Sequence, residues 1–155
     1  MFERLIQRLR GAPHETELPP EDARHAMGAL LVQVARADNA YLFEEIEQID
    51  RILAAREKCS PLEAAKMRAR CERLEEAMPG TEDLAQVLHR HIPGEAREAA
   101  VRALWSVVFS DGVEEAAQDD LLHRIEAILG VPPARARTLH DEEMAKAGRP
   151  IVHGG

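Results

Sequence analysis

The chain predicts an all-α fold: a single helical bundle of about seven to eight helices with an internal duplication of a helix–Asp turn–helix hairpin. Three observations carry that expectation. Ala, Leu, Glu and Arg dominate the composition, and all four favour helix. Apolar residues recur at helical spacing between Pro, Gly and capping residues. No segment alternates apolar and polar residues strictly enough to be a strand. The 155 residues suit one domain that buries its own core. The expected organisation is a short N-terminal helix and linker over 1–18, the helical domain over 19–147, and a loose C-terminal tail over 148–155.

Taken in order, Phe2, Leu5, Ile6 and Leu9 form a short apolar stripe that ends at Gly11-Ala12-Pro13. Pro19-Pro20-Glu21-Asp22 reads as a helix start, since Pro and acids both suit a first turn. That helix carries Met27, Leu30, Leu31, Val34 and Ala35 and stops at Asp38-Asn39, residues that accept turn conformations. A further helix starts at Phe43 or Glu44 with the stripe Ile46, Ile49, Ile52, Leu53. Ser60-Pro61-Leu62-Glu63 is a capping box that opens a helix through Met67, Cys71, Leu74 and Met78. Thr81 is read as the cap of a shorter helix with Leu84, Val87 and Leu88. Pro93-Gly94-Glu95 begins the next, which carries Val101, Leu104 and Val107 to Ser110-Asp111-Gly112, where Gly112 suits a left-handed cap. Leu121, Leu122, Ile125 and Leu129 mark another helix, closed by Gly130, and Pro132-Pro133 opens the last, to about Ala147.

The formal net charge is −8, which opposes nucleic-acid phosphates and anionic lipid surfaces. Only 3% of residues are aromatic, leaving few rings to stack on bases. Cys59 and Cys71 form no Cys-x-x-Cys and read as reduced thiols. No apolar run approaches the roughly 18 residues of a membrane span, and Met1 to Arg10 carries too many charges for a signal peptide. A cytoplasmic location is expected, with no nucleic-acid partner and no membrane insertion.

Two stretches align without gaps. Leu31, Val34, Asp38, Arg51 and Ile52 match Leu104, Val107, Asp111, Arg124 and Ile125. Any two amphipathic hairpins share apolar matches, but a shared Asp at the turn and a shared Arg thirteen residues later favour duplication. A helix that ends in Ala/Ser-Asp-Gly, with an acid seven residues after the Asp, resembles the TerB (tellurite resistance) family. Similar domains accompany J domains in DjlA-like co-chaperones. Arg36-Ala37-Asp38-Asn39 with Glu45 carries the first copy of the motif, and Phe109-Ser110-Asp111-Gly112 with Gln118 the second. The resemblance spans about Glu21 to Leu139. Asn39 stands where the family has Gly, Gln118 where it has Glu, and Tyr41-Leu42-Phe43 is more apolar than the family's acidic turn. The resemblance implies an all-α domain without known enzymatic chemistry and a link to tellurite or stress response.

The candidate site is a divalent-cation site formed by Asp38, Glu45 and Asp111, with Glu44, Glu114, Glu115, Asp119 and Asp120 as further oxygen donors, ligands that hard cations favour. The competing account is that Asp38 and Asp111 accept backbone N–H bonds and cap the following helices. An EF-hand is excluded, because positions three, five and twelve of the two loops are Ala40, Leu42, Ile49 and Val113, Glu115, Leu122. His25, His123 and His140 look isolated, and His89 and His91 face different ways on a helix. Trp105 and Phe109 share a face and read as core, with a ligand pocket as the alternative. Lys66, Arg68, Arg70 and Arg73 read as a solvated face. No resident cofactor is expected, and no catalytic residue stands out. The leading expectation is a non-enzymatic module presenting acidic residues to a protein partner. The rivals are a cation-binding domain and a small-molecule enzyme with a pocket near Trp105.

Overall fold

The first helix described, α1 (Pro20–Arg36), decides the architecture. From Ala26 to Ala35 its apolar side chains on every face are buried, each at most 1% exposed. A helix that is apolar all round must lie in the centre. It is packed against α2 (Phe43–Glu57), α3 (Pro61–Ala77), α4 (Thr81–His91), α5 (Arg97–Val108) and α6 (Ala116–Leu129). The last helix, α7 (Pro133–Lys146), lies mainly on α5. This computed structural model describes residues 20–78, 80–148 and 150–154. The expected N-terminal helix of residues 2–9 lies outside them.

Seven α-helices occur among the described residues, so the all-α bundle expected from the sequence is the fold. The local signals work as their chemistry requires. Ser60 Oγ accepts from Glu63 N–H at 3.1 Å, and Pro61 is the first residue of α3. Gly130 closes α6 at φ 77°, a region that favours glycine. Thr81 is the first residue of α4 and Gly80 its N-cap, one position from where the sequence placed the cap. A 3₁₀ turn, Gly94–Ala96, precedes α5.

Two short strands correct the expectation of none. β1 (Val113–Glu115) and β2 (Val152–Gly154) pair in parallel, with Val113 opposite Val152 and Glu115 opposite Gly154. β2 belongs to the stretch expected as a loose tail. Three residues are too few for alternation to register. The pairing arises because the turn after α5 leaves extended backbone with free N–H and C=O groups, which the returning chain satisfies. Val152 N–H also donates to Gly112 C=O at 2.9 Å.

The α1–α3 contact is close. A Cβ at Gly28 would overlap Cys71 Sγ, so the two helices meet where one lacks a side chain. Cys71 is 1% exposed and free, as is half-buried Cys59. Burial pushes the Cys71 thiol up to about 12. Arg68, expected on a solvated face, bridges α3 to α2 by bonding Asp50 at 2.6 Å, and within α3 it also bonds Glu72 at 3.0 Å.

Candidate functional site

The two Asp turns are built alike. After α1, Asp38 Oδ1 accepts Ala40 N–H at 3.1 Å, and Asn39 takes the left-handed conformation at φ 64°. After α5, Asp111 Oδ1 accepts Val113 N–H at 3.0 Å, and Gly112 takes the same conformation at φ 81°. Asn is among the few residues besides Gly that occupy this region readily, so Asn39 preserves the turn. Each bond reaches two residues ahead and fixes the turn itself; the helices that follow begin several residues later.

The residues seven positions after each Asp then meet. Glu45 and Gln118 are both the third residue of their helix and both 1% exposed. Glu45 Oε1 accepts Leu42 N–H at 2.9 Å, reaching back to the start of α2. Glu45 Oε2 accepts Gln118 Nε2–H at 2.7 Å, and the same amide lies 3.4 Å from Ala35 C=O. Burial pushes the Glu45 carboxyl up to about 7; its bonds from Leu42 and Gln118 oppose this, while Asp111 and Asp38 add repulsion. Asp38 and Asp111 are thus near enough to Glu45 to repel its charge, while Gln118 bonds Glu45 directly. The described residues contain no group of three His, Cys, Asp or Glu side chains arranged to hold a metal ion.

A second polar centre surrounds Trp105. A cavity of about 740 Å³ is lined by apolar Trp105, Ala127, Val131, Pro133 and Ala136 and by charged or polar Glu114, Asp119, Glu126, His123, His140 and Arg137. Trp105 is 1% exposed, stacks on Phe109 with ring centroids 5.7 Å apart, and donates its indole N–H to buried Glu126 Oε2 at 2.9 Å. His123 Nδ1 lies 3.0 Å from the other Glu126 oxygen. His140 stands edge-on to Trp105 and links Glu114 Oε2 at 2.9 Å to Asp141 Oδ1 at 2.8 Å. Burial lowers the His140 pKa, but Asp141 and Glu114 outweigh it and leave it raised. Burial, and then a hydrogen bond to Glu114, push Asp119 up to about 7. Burial would also raise Glu114, yet the bonds from Asp119 and His140 bring it below the ordinary range. The hydrogen bond between the two carboxyls thus pushes them apart, Asp119 up and Glu114 down.

The eight acids grouped by the sequence separate in space. Glu44 and Asp120 are exposed and Glu115 half-buried, Glu45 lies at the helix junction, and Glu114 and Asp119 belong to the cavity. His123 and His140, read as isolated, converge on Trp105. Trp105 is both core and cavity wall, while Phe109 lies behind it. The sequence reading missed the Glu45–Gln118 bond, Glu126 and the C-terminal strand. Only the matching offset of Glu45 and Gln118 from their Asp residues pointed toward the first.

These features define an all-helical domain with a central buried helix, two like Asp turns, and the residues that follow each turn joined at the junction. The family model for tellurite resistance protein TerB matches residues 24–141. The chain belongs to the TerB family. No curated protein and no solved structure matches it. No helix among the described residues is long and apolar enough to cross a membrane.

Proposed function

We propose that this chain is a non-enzymatic stress-response module that docks a protein partner through an acidic surface beside its Asp turns, and that it contributes in this way to tellurite resistance. The observation that carries the reading is the start of α2. Phe43 is 67% exposed and Leu42 39%, and both adjoin exposed Glu44. A large apolar ring held in water next to acids suits a partner with an apolar groove and a basic rim. The turn behind it is braced by the Asp38 and Glu45 bonds to Ala40 and Leu42 N–H, so the surface is presented on a fixed frame. The family's association with tellurite resistance supplies the physiological context. On this reading the two hairpins are a duplication that buries its shared acid position and leaves the outer acids for binding.

The test is complementation. Cells that naturally carry the chain, deleted for it, should regain tellurite tolerance with the wild type. A Phe43→Asp, Glu44→Lys, Asp120→Lys variant, folded by circular dichroism, should fail. Full tolerance from that variant removes the docking surface. Glu45 and Asp119 are unsuitable for charge reversal, because both lie inside polar networks and their reversal would report folding.

A further inference from the structure

The two hairpins differ beside Trp105, where the cavity lies. At the register that matches Asp38 with Asp111, α2 aligns with α6 and the helix after it, α3, with α7. In the first set the two helices are tied together. Arg68 of α3 bonds Asp50 of α2 at 2.6 Å, Leu53 is buried, and Met67 packs on the core. The matching residues of the second set are Asp141 for Arg68, His123 for Asp50, Glu126 for Leu53 and His140 for Met67. His123 bonds Glu126 on its own helix, and Asp141 bonds its neighbour His140, so neither bond ties α6 to α7. The space between the two helices remains as the cleft of about 740 Å³, within the usual range for a small organic ligand.

The polar groups of the cleft serve one another. Glu114 bonds Asp119 and His140 and faces His153, while Glu126 takes the Trp105 indole N–H and His123. The lining also mixes signs, since the acids stand beside His123, His140 and Arg137. A charged ligand would have to break one of these pairs to gain a partner, and would meet a like charge next to it. A neutral ligand leaves the pairs intact. The rest of the wall is apolar: Ala127 on α6, Ala136 on α7, Val131 and Pro133 where the two helices join, and the indole of Trp105. Small side chains on both helices leave room for a flat ring, and an aromatic ring gains from contact with the indole.

We propose that this cleft binds a small neutral aromatic molecule, its ring held between α6 and α7 against Trp105. Trp105 is the single tryptophan of the chain, so its indole N–H resonance reports the cleft directly. The full chain is titrated with phenol, and with benzoate and benzylammonium as the anionic and cationic counterparts. Phenol is expected to shift the resonance saturably, with both charged compounds at least about tenfold weaker. Ala127→Leu and, separately, Ala136→Leu fill the cleft from α6 and from α7, and each is expected to weaken phenol at least about tenfold. Glu44→Lys, outside the cleft, leaves binding unchanged. Thermal melts confirm that each variant folds; Ala127 is exposed, so its replacement leaves the core undisturbed. No saturable shift by about 20 mM phenol overturns the proposal. Binding of either charged compound as tight as that of phenol, or wild-type phenol affinity in folded Ala127→Leu, overturns it as well.

Discussion

Replacing Glu45 by glutamine isolates what it costs to hold a carboxylate at the junction of α2 and α6. Glu45 is 1% exposed, and burial moves its pKa from 4.5 to about 7. The folded chain therefore holds a proton that the unfolded chain has already released over this interval. Stability linked to Glu45 is greatest below about pH 4.5, falls as the pH rises toward 7, and is level above it. The interval corresponds to about 3 kcal/mol. Glutamine keeps the shape and the acceptor for Leu42 N–H, and Gln118 can turn its amide to accept from the new NH₂. Urea unfolding of wild type and Glu45→Gln at about pH 4.5 and pH 8.5 reads the difference directly. The two proteins should be nearly equal at the lower pH. At the higher pH the variant should be more stable by about 3 kcal/mol, or about 6–12 °C in Tm for a domain of this size. Comparing the two proteins at each pH cancels the titration of Asp119 and His140, which both share. A variant that is less stable at pH 8.5, or a difference that does not change with pH, would refute the junction as described.

Three further outcomes follow from the packing. Gly28→Ala should cost about 1–3 kcal/mol through overpacking against Cys71; in thermal melts the added change Cys71→Ala should recover much of that loss. Trp105→Phe keeps a ring against Phe109 but leaves buried Glu126 Oε2 without its indole donor. Chemical denaturation should show a loss of about 1–3 kcal/mol. Asp111→Ala removes the acceptor for Val113 N–H; it should cost about 1 kcal/mol and speed amide exchange at Val113 and at Val152, whose N–H bonds Gly112.

Element limits were legible in the sequence because they rest on local chemistry. Ser60-Pro61 opens α3, Gly130 ends α6, and the Ile49–Leu53 stripe turns inward because these depend on a residue and its neighbours within one helical turn. The Asp turns belong to this class, since each bond spans two residues. The stripe of Met27, Leu30, Leu31, Val34 and Ala35 marked α1 as a helix, while the burial of its other faces was seen only in the fold.

What tertiary structure alone decided is which distant side chains meet. Glu45 and Gln118 lie 73 residues apart, and Glu114 and His140 lie 26 apart. No periodicity encodes either contact, because each depends on how helices cross rather than on how one helix is patterned. The same holds for β2, a three-residue strand that exists because β1 offers unpaired backbone. The sequence by itself determined a helical TerB-type bundle with two Asp turns. Packing divided its acids among an outer surface, a charge-penalised junction and a cavity edge, because burial and neighbours, not residue type, set the state of a carboxyl group.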